Sequence, residues 1–383
     1  MRTKYLLTIL ISISLAGNIL FFIADGITYL RINQLQKKNH TNFPCASSLE
    51  EFHRCVFERN LDILVSGKRP DIPNFPVNLW ERIKYNLNIA QPQYPFFEGG
   101  EPNHVLVATL EDAIRRNDTE SIKKLEDVFE QRILPVELTE VDCSFSGGAA
   151  ILFHQYSGDE RYKDYADHVL DWLRERETPN GILYRRNNTR FQLNDGYGMY
   201  IPFLNLYHKT YNDTLSQQMV NRHMEIAAKY LMDSVSGIPV HGFTLSSSHS
   251  KVMSCNFGRG ISWFVSGLND IDTTALSIEC KEAINRLDNT LCEIWKTEGR
   301  FTQFPGEGGS SDLSAELPIL YYLLHKGLIS LTEQHVLKYS QMSENGLLYH
   351  SSGSVTTSYS ALTGPNILSQ AFMLRILNEL IDE

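Results

Sequence analysis

Leu152-Phe153-His154-Gln155-Tyr156-Ser157-Gly158-Asp159 recurs 54 residues later as Leu206-Tyr207-His208-Lys209-Thr210-Tyr211-Asn212-Asp213. The front half returns as Leu323-Leu324-His325-Lys326, a further 117 residues on and so about two repeats away. Self-similarity at a fixed spacing marks a repeated supersecondary unit. The residues after each full copy identify the unit. Tyr162, Tyr165, Ala166, Val169, Trp172 and Leu173 fall at i, i+3, i+4 spacing after the first, and Met219, Met224, Ile226, Ala227, Tyr230 and Leu231 after the second. The unit is therefore a helical hairpin of about 55 residues. Six of these need roughly 330 residues, which 46–383 supplies, and no stretch shows sustained strand alternation. The expectation is an all-α fold, an (α/α)6 toroid of inner and outer helices forming one domain.

Acids fall on the same repeat. Asp142 precedes His154 by 12 residues, and Asp195 and Asp312 precede His208 and His325 by 13 each. If the histidines end equivalent inner helices, the three aspartates begin them and share one rim. An Asp there caps free N–H groups. Carboxylates gathered around a central pit can also hold a sugar and exchange protons with it. The histidines, at the far end, read as interhelical hydrogen-bond partners.

Outward from the repeat, the chain begins differently. Tyr5 to Ile23 is a 19-residue run without a charge, behind Arg2 and Lys4. That length suits a membrane helix better than a cleaved signal core. Residues 1–25 are expected to be a signal anchor, 26–45 a polar stalk and 46–383 the toroid. A short N-terminal tail stays inside, so the body would be exported, to a periplasmic, extracellular or lumenal space, and secreted if the segment is cleaved. Six cysteines lie beyond the anchor, and sequons start at Asn39, Asn117, Asn187 and Asn212. Apolar residues make up 42% and charged residues 21% of the chain, an ordinary globular balance. Residues 1–38 carry five basic groups and one acid, whereas the whole chain has a net charge of −10. A body that acidic, with no Lys/Arg cluster, argues against a nucleic-acid partner.

Three segments resemble a known family: Asn194-Asp195-Gly196-Tyr197-Gly198-Met199-Tyr200-Ile201-Pro202-Phe203-Leu204, Gly237-Ile238-Pro239-Val240-His241-Gly242-Phe243 and Phe257-Gly258-Arg259-Gly260-Ile261-Ser262-Trp263. Their order and spacing are similar to those of the unsaturated glucuronyl and unsaturated rhamnogalacturonyl hydrolases, glycoside hydrolase families 88 and 105. The resemblance extends more loosely over about 140–383, including Gly309-Ser310-Ser311-Asp312 and Gln370-Ala371-Phe372-Met373-Leu374-Arg375. It implies an oligosaccharide substrate ending in a 4,5-unsaturated uronic acid, hydrated at its C4=C5 vinyl ether. By resemblance Asp195 is the proton-transferring residue and Asp142 the second aspartate, which contacts the sugar. Arg259 would bind the uronate bidentately, Trp263 would stack on the ring, and His241 would reach a hydroxyl or the water. Tyr197 and Asp312 would line the site.

Taken on their residues alone, Arg259 could instead pair with a capping Asp, and Trp263, His241 and Tyr197 could be core or turn residues. Phe257 and Ile261 stand where the family carries a Trp and commonly a polar residue. These changes spare the catalytic Asp and leave the sugar open. No phosphate loop, dinucleotide fingerprint, metal-ligand cluster or nucleophile elbow occurs, so no cofactor or metal is expected. Two other functions share these features. One is a toroid enzyme of polysaccharide assembly, such as a uronyl epimerase or ordinary glycosidase. The other is a non-catalytic, membrane-tethered glycan-binding protein.

Overall fold

The computed structural model describes residues 2–39, 46–70, 78–89, 96–178, 180–183, 191–245, 249–252, 257–352 and 363–382. A long helix opens the chain in two pieces, α1 (Arg2–Phe21) and α2 (Ile27–Asn39), joined by a π turn at Phe22–Gly26. The stretch expected as a polar stalk is thus helical through Asn39, and 40–45 lie outside the described residues. α3 (Leu49–Ser66) and α4 (Leu79–Asn86) follow. Then come α5 (Gly100–Arg115) and α6 (Thr119–Arg132), α7 (Ser146–Ser157) and α8 (Glu160–Arg176), and α9 (Tyr197–Tyr211) and α10 (Thr214–Tyr230). α11 (Gly258–Leu268), α12 (Ile278–Glu298), α13 (Leu313–His325), α14 (Glu333–Ser340) and α15 (Ile367–Asp382) complete the order.

Six of these helices form a closed inner ring. α5 packs on α7, α7 on α9, α9 on α11, α11 on α13, α13 on α15, and α15 returns to α5. α6, α8, α10, α12 and α14 lie outside. The sixth outer place belongs to α3, which packs on both α15 and α5. The last hairpin is therefore assembled from helices at opposite ends of the ring's sequence. One apolar core runs through the whole ring, from Phe52 to Leu377.

The repeat that announced this fold has a local cause. Gly158 ends α7 in the left-handed conformation (φ 71°), and Asn212 ends α9 the same way (φ 58°). The next residue caps the outer helix: Asp159 accepts from the Arg161 N–H at 3.0 Å, and Asp213 from that of Ser216 at 2.7 Å. An αL residue followed by an Asp N-cap is a two-residue corner between antiparallel helices. Asn117 (φ 54°) and Asp118, which caps α6 through the Ser121 N–H at 3.1 Å, make the same corner a repeat earlier. Two of the sequons, at Asn117 and Asn212, are these corners followed by Thr.

Short strands decorate the ring. β1 (Phe191–Leu193), β2 (Gly242–Thr244) and β3 (Lys251–Val252) make an antiparallel sheet in that order. Three hairpins pair β4 (Thr302–Phe304) with β5 (Gly308–Ser311), β6 (Ser343–Glu344) with β7 (Leu347–Leu348), and β8 (Ser351–Ser352) with β9 (Thr363–Gly364). β1, β2, β4, β5, β8 and β9 sit in connections leading into inner helices, at the rim where those helices begin.

At the opposite rim the three repeat histidines do what was expected in two cases. His154 Nδ1 lies 3.0 Å from the Tyr211 hydroxyl, bridging α7 and α9, and His325 Nδ1 lies 2.7 Å from Glu379 of α15. His208 departs from the expectation. It meets the Asp213 carbonyl at 2.8 Å, inside its own corner. Cys280 and Cys292 are thiols, and Cys45 and Cys255 lie outside the described residues.

Candidate active site

All three sequence-predicted aspartates stand at the near rim, where the inner helices begin. Asp142 occupies a 3₁₀ turn (Val141–Cys143) that enters α7 and packs on α9. Asp195 lies two residues before α9, and Asp312 is the N-cap of α13. They differ in exposure: Asp142 and Asp312 are buried, and Asp195 is half-buried. Burial also pushes up the thiol of Cys143, beside Asp142.

A short sheet holds Asp195. Leu193 of β1 pairs with Gly242 of β2, and the Asn194 N–H donates to the His241 carbonyl at 2.9 Å. This puts His241 beside the corner carrying Asp195. A glycine fixes the next contact: a Cβ on Gly198 would overlap the Trp263 carbonyl, so α9 and α11 meet backbone to backbone. Trp263 and Arg259 both stand on α11.

Arg259 is 3% exposed. Its Nη2 pairs with Glu101 at the start of α5, and its Nη1 donates to the Ser352 carbonyl at 2.9 Å. The Ser352 N–H donates to Asp312 Oδ1 at 2.9 Å, and the same oxygen caps α13 through the Ser314 N–H at 3.0 Å and hydroxyl at 2.6 Å. Glu101 also pairs with Arg69, just beyond α3. Glu101, Arg259, Ser352 and Asp312 thus form one buried polar chain across the ring. Desolvation offsets much of the Coulomb attraction in such a pair, so its main effect is to fix position.

His104 of α5 lies among Phe145, Trp263 and Phe372 at ring distances of 4.5, 5.3 and 5.6 Å. Its Nε2 donates to the Gly198 carbonyl at 2.8 Å, which assigns the proton to that nitrogen. Burial lowers its pKa to about 3, so it stays neutral. Trp263 is accordingly part of the packed floor. Tyr197 is also buried, against Tyr200 and Phe264, and burial pushes its phenol upward. Tyr200 continues to His223 Nδ1 at 3.2 Å, and His223 Nε2 lies 3.2 Å from Glu177.

The structure therefore groups Arg259 with Asp312 through Ser352, and the corner carrying Asp195 with His241 and the start of α11 through Asn194, which bonds His241 and abuts Gly260. The reading of the sequence passed over Glu101, Arg69, His104 and Ser352. Gly99-Gly100-Glu101, ahead of an apolar helical stretch, was the available signal for the first. Among the described residues no group of three or more His, Cys, Asp or Glu gathers as a metal-ligand set.

A closed ring of helical hairpins with acids around one rim is the frame of a glycosidase-type enzyme. The model of Glycosyl Hydrolase Family 88 matches residues 106–361, and the chain belongs to that family. Solved structures extend the likeness in fold. A possible member of family 105 from Salmonella enterica serovar Paratyphi A aligns with TM-score 0.68 at 15% identity, covering 88% of this chain and 95% of that one. A second possible member, from Klebsiella pneumoniae, gives 0.69 at 16%, covering 87% and 93%. The unsaturated glucuronyl hydrolase of Bacillus sp. GL1, responsible for glycosaminoglycan degradation, gives 0.62 at 13%, covering 86% and 96%. No curated protein matches the chain.

Proposed function

We propose that the protein removes a terminal 4,5-unsaturated uronic acid from an oligosaccharide by adding water across its C4=C5 vinyl ether. Asp195 gives a proton to C4 and, as the carboxylate, takes one from the water that attacks C5. The resulting hemiketal opens to a ketone. The ring oxygen so freed leaves C1 as a hemiacetal, which releases the next sugar. Asp142 orients the unsaturated sugar, His241 contacts a hydroxyl or the water, and Arg259 engages the uronate. Trp263 forms the floor, and Tyr197 and Asp312 hold the walls.

The observation that carries this reading is the difference in burial among the rim aspartates. Only Asp195 combines partial solvent access with the best-matching motif, whereas all three hydrogen bonds to Asp312 Oδ1 commit it to capping and support. The test is loss of the vinyl-ether ultraviolet absorbance of a lyase-generated disaccharide. Wild type is expected to turn it over, and Asp195→Asn and Asp142→Asn to be impaired. Turnover by Asp195→Asn at the wild-type rate would refute the assignment.

A second reading, an ordinary glycosidase, draws on the pairing of Arg259 with Glu101, which occupies part of the guanidinium offered to a uronate. Turnover of saturated but not unsaturated substrates would select it.

The N-terminal helix enters the proposal as well. Thr8–Gln34 is long and apolar enough to cross a membrane and is scarcely covered by the rest of the chain. We read residues 1–25 as a retained anchor, 26–45 as its connection and 46–383 as an exported catalytic domain.

A further inference from the structure

Resting on that anchor reading, we infer a second membrane contact: α4 lies in the bilayer interface and turns the acid-bearing rim toward the lipid headgroups. The first observation is a built junction. A π turn disturbs the regular carbonyl pattern of a helix, and here α4 packs directly on it. The Asn86 amide donates at 2.9 Å to the carbonyls of Ile23 and Ala24 and to the Thr28 hydroxyl. Arg82 pairs with Asp25 at 3.0 Å, and Arg31 lies over the Tyr85 ring at 5.2 Å. α4 is therefore fastened at one height along the N-terminal helix.

That height is the end of the span. A hydrocarbon core takes roughly 20 helical residues, and the uncharged run stops at Ile23, with Asp25 the first acid. The face that α4 turns away from the protein sets apolar side chains beside the exposed Glu81–Lys84 pair, and the apolar stretch continues just past its end. Trp80 is 59% exposed, Leu87 47% and Ile89 69%, with Lys84 over the Trp80 ring. Phe21, Phe22, Tyr29 and Leu30 on the neighbouring helix are exposed too. A Trp, aliphatics and a lysine at the boundary of a span form the pattern of an interfacial helix. The occupant is the bilayer itself.

Orientation follows from the other contact of the N-terminal helix. α2 packs on β9, β9 pairs with β8, and Ser352 of β8 bonds both Arg259 and Asp312. The anchor thus leaves the body on the rim that carries the acids. Substrate enters between that rim and the membrane, so the glycan is one held near the bilayer surface.

The experiment uses the full chain in nanodiscs containing a zwitterionic lipid, an anionic lipid and a shallow dibrominated lipid. Bromine quenching of tryptophan fluorescence is expected in wild type, to disappear in Trp80→Phe and to persist in Trp295→Phe. Persistence in Trp80→Phe while the chain resists carbonate extraction overturns the α4 contact alone. Extraction by carbonate overturns the anchor with it. For orientation, a dye introduced as an unnatural amino acid at Glu307, on the near rim, should transfer more energy to a headgroup acceptor than one at Tyr156, on the far rim. Equal or reversed transfer overturns the tilt. Turnover of soluble disaccharide reports on the catalytic proposal independently of all three.

Discussion

The two rims of the toroid are built from the same helices and treat polar groups in opposite ways. At the far rim, charge meets charge. His325 bridges Glu379 and Asp270, Arg375 donates to Glu111 at 3.0 Å, and Lys326 and Tyr322 share Asp288 at 2.6 and 2.5 Å. At the near rim, buried polar atoms lack partners among the described residues: Asp312 Oδ2, His104 Nδ1 and Asn194 Oδ1. Unpaired buried polar atoms are uncommon in native proteins and require a cause. The far rim has open atoms too, Asn269 Oδ1 and Arg375 Nε, but its charges mostly bind helix to helix, whereas the near rim leaves more polar atoms open at the mouth of the proposed site.

That contrast stands or falls on one residue from each rim. Asp195→Asn is expected to lower turnover about 10²–10⁴-fold with roughly 0–1 kcal/mol of lost stability. His154→Gln should leave turnover intact and lose about 1 kcal/mol with its hydrogen bond to Tyr211. Kinetics and chemical denaturation on both variants decide it, and equal effects on turnover would erase the distinction.

Glu101→Gln tests the exception, a near-rim group that is fully engaged. Two guanidiniums lose their countercharge, Arg259 in full burial, so unfolding free energy should fall by about 3 kcal/mol. A midpoint unchanged in urea would show that the chain of contacts through Ser352 adds nothing to stability. Arg259→Lys comes next. It is expected to raise KM about tenfold, the worth of roughly one charge-assisted hydrogen bond, with kcat retained. A fall in kcat at constant KM would move Arg259 from binding into the chemical step.

The smallest change belongs to the far rim. The Asp270 carboxylate 3.6 Å away, with the hydrogen bond to Glu379, raises the His325 pKa to about 9 from 6.5. A raised folded-state pKa stabilises below the unfolded value, and that stability is lost as pH rises from 6.5 through 9. His325 is half-exposed, so solvent screening reduces the contribution to about 1 kcal/mol. Glu316, which burial raises to about 7, slopes in the same direction at lower pH. Denaturation at pH 7.5 and 9.5 avoids most of that slope, and His325→Gln should reduce the difference, the remainder coming from the thiols of Cys143, Cys280 and Cys292, which burial also raises. Persistence of the full slope in that variant would assign it elsewhere.

The fold was legible because its corners are local. Gly158-Asp159 and Asn212-Asp213 encode an αL stop and an N-cap within two residues, and the apolar stripes supply the helices on either side. The third copy faded after Lys326 because a longer connection comes next: Gly327 makes the left-handed turn (φ 66°), and the cap waits until Thr332. Asn117-Asp118 carried the same message in a segment read only as helical. At the positions of Leu-x-His it carries Glu111-Asp112-Ala113, so the pattern that marked the others is missing.

The shared rim position of the three aspartates was legible through the same spacing, whereas their support was not. Glu101 meets Arg259 across 158 residues, and Ser352 meets Asp312 across 40, distances at which periodicity says nothing. The rim strands are two to four residues long, too short for alternation to register. The αL–Asp corner also accounts for two sequons without any sugar attached.

The sixth hairpin has a consequence for how the molecule comes into being. Gln370 of α15 donates to Asn60 of α3 at 3.1 Å, and His53 of α3 lies 2.8 Å from Asn378. These are the first and last helices of the ring, more than 300 residues apart in synthesis. A ribosome must deliver the chain through α15 before α3 and α5 can cover their apolar flanks. Until then the circle is an open arc with two greasy ends, Phe52 and Val56 among them. Any nascent chain stalled short of Ile367 remains such an arc, a ready client for chaperones and proteases. The clasp thus makes synthesis of α15 a condition of closing the ring.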